Sequence, residues 1–160
     1  MKSKMNDVID MGNKMLIERP LYDTVYSKPG ELIEKFTFFD TSLDCRKYGF
    51  ASCNMECESF LPAGHYFHVK GIEVRDSEGL TAFVKRASLC FLIGSTQYIN
   101  LPLENFWHQN NKNPHNLKCE LLLVPLQNFC VFVNMKHPVQ FNFPYSLRCI
   151  LHGDYYCPVA

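Results

Sequence analysis

No run of about twenty apolar residues occurs in the chain, so the sequence holds no candidate for a membrane-spanning helix. An excess of one charge is also missing. Sixteen Lys and Arg balance sixteen Asp and Glu, for a formal net charge of zero. This removes the usual electrostatic reason to expect nucleic acid or an anionic membrane as the main partner, and it leaves little repulsion between copies. There is no Gly-rich phosphate loop, no paired-carboxylate motif of the catalytic kind on a helix and no basic-aromatic strip. The opening stretch MKSKMNDVIDMGNKMLIERP has no apolar core of signal-peptide type, so the expectation is a protein made in a cytosol, with its thiols reduced.

What is present suffices for one folded domain. The 160 residues are 47% apolar and 20% charged, the balance of a globular chain with a sizeable core and not of a disordered one. Residues 121–134, LLLVPLQNFCVFVN, anchor the reading. Pro125 removes a backbone donor in the middle of an apolar run, and Leu126, Gln127 and Asn128 complete a turn, so the run is two short strands and not one helix. In the second strand Phe129, Val131 and Val133 share one face, while Cys130, Phe132 and Asn134 share the other. Both faces are largely apolar, which predicts a strand in the middle of a sheet covered on both sides.

Further strands are expected at residues 31–39, 65–75, 87–93, 96–100 and 146–152, with turns at Pro29-Gly30, at residues 76–79 and at Gly94-Ser95. In HYFHVKGIEVR, residues 65–75, His65, Phe67 and Val69 alternate on one face, yet Ile72 and Val74 fall in the opposite phase. A β-bulge at Lys70-Gly71 restores a single inward face. Residues 80–86 read either as a helical turn or as an edge strand. Residues 40–64 form a long loop, pinned by Phe50, Met55, Phe60 and Leu61 or else functional, and residues 101–118 form a second that carries the only tryptophan. About eight short strands and no convincing long helix make the class all-β, a sandwich or barrel. Its expected filling is Phe67, Val69, Ile72, Val74, Leu89, Phe91, Ile93, Val131, Val133 and Ile150.

This tally is complete from residue 31 onward. Residues 1–30 are therefore expected to be an N-terminal arm and lead-in, outside a domain of residues 31–160. Val8, Met11, Met15 and Leu16 sit at helical spacing, interrupted by Gly12. The segment is too apolar for a tail that stays in water, so Met11, Met15, Leu16, Ile17, Leu21 and Tyr22 are candidate assembly contacts. Phe106 and Trp107, bulky side chains in a loop that is otherwise polar, are further candidates. Alternatively they pin that loop on their own domain.

Chemistry is harder to place. Gly64-His65-x-x-His68 with Glu73 and the distant His152 resembles the His and Glu sets of cupin-type metal sites, but two residues between the histidines point them to opposite faces of a regular strand. Eight cysteines stand at 45, 53, 57, 90, 119, 130, 149 and 157. Cys90, Cys130 and Cys149 lie in apolar runs where a free thiol acts as a small hydrophobe, and Cys53-x-x-x-Cys57 has no second pair to complete a zinc site. Free thiols are expected, with no disulfide, metal or cofactor. Cys53 or Cys57 with His108 or His115 lack any flanking nucleophile motif, so no catalytic residue is assigned.

The order of residues also carries a resemblance. Phe38-Phe39-Asp40-Thr41, Cys53-Asn54-Met55, Leu61-Pro62, Phe67 to Val74 as FHVKGIEV, Ile93-Gly94-Ser95 with Tyr98, Pro102-Leu103 with Phe106, Leu126 to Val131 as LQNFCV, and the ending LHGDYYCPV resemble small single-domain bacteriophage proteins that are jelly-roll components of virions. The resemblance spans most of residues 38–159. It implies a single jelly-roll β-sandwich acting as a capsid shell, vertex or decoration subunit. The protein would be made in the host cytoplasm, located in the virion and partnered by its own copies and other virion proteins, with no specific nucleic acid and no membrane insertion. The competing expectation is a cupin-like metal-dependent enzyme or a small-ligand-binding β-barrel module.

Overall fold

Side chains that alternate between apolar and polar cannot bury one face as a helix, and the chain folds accordingly as strands. The computed structural model describes residues 13–46, 48–79, 82–107 and 115–159. Among them lie β1 (Lys14–Ile17), β2 (Leu21–Ser27), β3 (Leu32–Phe38), β4 (Tyr66–Asp76), β5 (Ala87–Ile93), β6 (Thr96–Pro102), β7 (His115–Leu123), β8 (Phe129–Gln140) and β9 (Tyr145–Pro158), joined by loops and short 3-10 turns. All pairings between these strands are antiparallel. They form two sheets. In the first, β9 has β4 on one side, with β7 beyond it, and on its other side β2 along the first half and β1 along the second. The second sheet has the order β3-β8-β5-β6.

Phe129, Val131 and Val133 are buried, and β8 lies inside its sheet between β3 and β5, as its two apolar faces predict. Cover on both sides is not what is found. Cys130, Phe132 and Asn134 on the outer face are only half-buried, and Lys35 lies across Phe132 with its ammonium 4.4 Å from the ring centre.

The expected bulge in β4 is present. Register against both β7 and β9 shifts between Val69 and Gly71, and Phe67, Val69, Ile72 and Val74 are all buried. The last strand runs on beyond His152 through Gly153-Asp154 to Pro158. Gly153 pairs with Val69 at the bulge, and a Cβ there would stand 1.9 Å from the His68 carbonyl oxygen, so the glycine permits a close approach of two strands. One core assignment is corrected by a residue. Leu147, Cys149 and Leu151 form the buried face of β9, while Ile150 lies on the half-buried outer face beside Tyr22 and Glu73.

The N-terminal expectation needs the larger correction. Residues 1–12 lie outside the described residues, but residues 14–27 are two strands of the domain itself and not an arm. β2 reads LYDTVYS and pairs with β9 over seven positions, Leu21 against Leu151 through Ser27 against Tyr145. Leu21 is 1% exposed, which makes it core.

Candidate functional site

The interior is occupied by hydrocarbon. Trp107, Phe36, Phe38, Phe39, Phe67 and Phe91 are among the fully buried side chains, and the aromatic rings of Phe83, Phe141 and Tyr145 pack beside them. Phe106 and Trp107 are therefore not contacts for a partner. They pin the second long loop on its own domain: the Phe106 carbonyl accepts the Val74 N–H at 2.8 Å, and Trp107 meets Phe83 edge to face at 5.7 Å. Leu21, buried in the core, is equally inaccessible to a partner. Met15 and Leu16 are exposed, Ile17 is packed partly against the core, and Tyr22 is half-buried with its hydroxyl donating to the Phe50 carbonyl. Met11 lies outside the described residues.

The histidine set is split. His65 Nδ1 is 2.7 Å from the Tyr155 hydroxyl, and burial lowers its pKa. His68 pairs with Asp154 and Leu122 across the sheet and does not join it. Glu73 and His152 do meet, with Oε1 3.0 Å from Nε2, but the other Glu73 oxygen accepts from Arg75 Nε at 2.9 Å. An acid shared by a guanidinium and an imidazole is a hydrogen-bonded polar network, and among the described residues no three His, Cys, Asp or Glu side chains are grouped to hold a metal ion. The seven cysteines with described side chains are free thiols. Burial, followed by the nearby Asp23 carboxylate, pushes Cys53 up to about 11, which suppresses its thiolate. Of its proposed partners, His108 and the side chain of His115 lie outside the described residues.

Sequence reasoning missed the most constrained polar pair. Asp23 is fully buried, and its carboxylate accepts from the Thr24 N–H at 2.9 Å, the Phe39 N–H at 2.8 Å and Arg46 Nε at 2.8 Å, with Arg46 Nη2 as a fourth donor. Burial raises its pKa, opposed by Arg46 and the two backbone donors. The pair ties the first long loop to β2, helped by Asn54, which bonds the Pro20 carbonyl and the Tyr22 N–H, and by buried Cys53, Met55 and Leu61. Phe50, an expected pin, is 69% exposed instead. The visible signal was an acid at an inward position of an alternating strand.

Concave surface lies on the outside. One groove, of about 400 Å³, is lined by Lys85, Arg86, Lys136, Ser88, Asn100 and Asn134 among others. A second, of about 540 Å³, lies between Tyr26, Tyr48 and Pro144. No protein-family model matches the chain, and comparison with curated proteins gives no match.

Proposed function

We propose that the chain is a single jelly roll serving as a structural subunit of a bacteriophage virion, in the shell, at a vertex or as a decoration, through self-assembly and not through catalysis. Nested pairing supports the jelly roll. β2 pairs with β9, β3 with β8, β4 with β7 and β5 with β6, and successive pairs alternate between the sheets. A long antiparallel ribbon rolled up on itself has this connectivity.

The observation that carries the assembly reading is where the apolar and polar groups lie. The inner faces that would line a ligand cavity are packed with Phe, Leu, Val and Trp, while Leu16, Leu32, Phe50 and Leu126 stay on the outside at 59–69% exposure. Exposed apolar side chains on a neutral surface favour association. β3 and β6, at the ends of their sheet, each pair on one side only among the described residues, and such edges are ready contact lines. The sequence resemblance supplies the virion setting, in the host cytoplasm during synthesis and in the particle afterwards. Light scattering and negative-stain electron microscopy of the pure protein should show closed rings or larger shells. A monomer that persists at millimolar concentration would sink the reading.

A further inference from the structure

The groove between β5, β6 and β8 is cationic. Lys85, Arg86 and Lys136 line it, no carboxylate does, and none of the three has an ion-pair partner among the described residues. Its floor is built on strands. The Cys90 thiol donates to Asn100 Oδ1 and accepts from Asn134 Nδ2, each at 3.5 Å, and Ser88 lies between Asn134 and Pro102 in register. Leu101, partly exposed, adds an apolar patch to the wall. Three like charges around one concavity repel, and a ligand bearing carboxylates relieves that cost.

Carboxylates stand on the opposite flank of the same molecule. Residues 40–58 follow β3, the strand at the far end of the sheet from β6, and they expose Asp40, Asp44, Glu56 and Glu58. Asp40 is paired with Arg46 at 3.1 Å and Glu56 with Arg19 at 3.0 Å, whereas Asp44 and Glu58 have no cationic partner among the described residues. Phe50 and Tyr48 are exposed among these acids, and the buried Asp23–Arg46 pair holds the loop in place beforehand.

We propose that the groove receives the acidic loop, residues 40–58, of a second copy of this chain, so that copies join head to tail. The inference rests on the assembly reading above and names its contact. Such a contact joins two different patches, and it closes into a ring where the rotation allows. Leu101 beside the groove gives Phe50 an apolar surface to cover, and Asp44 and Glu58 meet Lys85, Arg86 and Lys136.

Two charge-reversal variants test it by light scattering. One carries Lys85→Glu with Lys136→Glu, the other Asp44→Lys with Glu58→Lys. Each alone should fall from the wild-type mass to that of a monomer, with unchanged Trp107 emission as the check on folding. Mixed in equal amounts, they should recover the wild-type mass, because each reversed groove then faces a complementary loop. High salt should also weaken the wild-type assembly, since the screening length falls from about 8 Å at physiological ionic strength to about 3 Å at 1 M. Assembly of either variant at the wild-type mass overturns this contact while leaving the assembly reading intact, as does a mixture that stays monomeric. Binding of heparin at the groove with no change in particle mass overturns it in favour of a polyanion site. A wild-type protein that is itself monomeric overturns both inferences.

Discussion

Replacing Arg46 by Ala should cost the fold far more than the loss of a surface ion pair. The Asp23 carboxylate is 0% exposed and accepts four hydrogen bonds, two of them from the guanidinium. Without Arg46 the Thr24 and Phe39 N–H groups remain, and the carboxylate becomes an uncompensated buried charge. Breaking such a pair from one side costs about 3–5 kcal/mol, against about 5–15 kcal/mol for the stability of a whole domain. The pH dependence identifies the cause. Burial already raises the Asp23 pKa above its ordinary 3.8, and removing Arg46 takes away the largest opposing influence. A carboxyl whose folded pKa lies above its unfolded value contributes stability that is complete below the unfolded value and is lost as pH rises through the folded one. The Arg46→Ala penalty should therefore shrink on acidification, by about 1.4 kcal/mol for each pH unit between the folded Asp23 pKa without Arg46 and the lower folded value with it. Urea titration followed by the emission of Trp107, the only tryptophan and fully buried, reads both quantities. Adding Asp23→Asn to Arg46→Ala should restore part of the loss, because it removes the stranded charge. A penalty under about 1 kcal/mol, the range of exposed pairs, or one that does not change with pH, would refute the argument.

Three further outcomes are expected. Gly153→Ala should destabilise by more than about 3 kcal/mol or abolish folding, since its Cβ would meet the His68 carbonyl oxygen at 1.9 Å, whereas Gly94→Ala, with open space but a φ of +61°, should cost only about 1 kcal/mol; equal losses in urea titrations would contradict the close-approach account. Stability should fall in alkali: Cys53 is raised by burial from 9.0 to about 11, so its contribution is complete below about pH 9 and is lost toward pH 11 at about 1.4 kcal/mol per unit, a slope that Cys53→Ala should reduce in thermal melts. Deleting residues 1–22 should lower the melting temperature by about 10 °C or more, because it removes Leu21 from the core and β1 from the edge of β9, and an unchanged calorimetric transition would restore the free-arm expectation.

Elements were legible where the information was local. β8 declares itself by FCVFV after a Pro-containing turn, and β4 by a phase change at Lys70-Gly71 that only a bulge reconciles with one inward face. β2 fails the same test because its pattern is inverted in kind. In LYDTVYS the large rings of Tyr22 and Tyr26 face outward, and the inward set includes the charged Asp23. That carboxylate makes sense only with Arg46, a loop residue 23 positions away, and with the Phe39 N–H at the end of β3. The phase of β9 was equally undetermined from SLRCILH, where Ile150 and Leu151 are adjacent and both apolar. It is decided by pairing with β4, through a glycine whose need is visible only when the His68 carbonyl stands opposite it.

Net charge limits the reading in a different way. A sum of zero removes the general electrostatic reason to expect nucleic acid or an anionic membrane, yet a sum carries no position. Folding brings Lys85, Arg86 and Lys136 from two distant segments to one groove and leaves Asp44 and Glu58 on the flank beyond β3, so the molecule is neutral and polar at once. A neutral molecule is not kept apart from its copies by like charge, and a polar one has a preferred way to meet them. The Asp23–Arg46 pair belongs to the same argument, because it fixes the loop that carries the acids. Arg46→Ala should accordingly weaken the head-to-tail contact at concentrations and temperatures where the domain is still folded. A variant that was destabilised by several kcal/mol yet assembled with undiminished affinity would separate the loop from the contact.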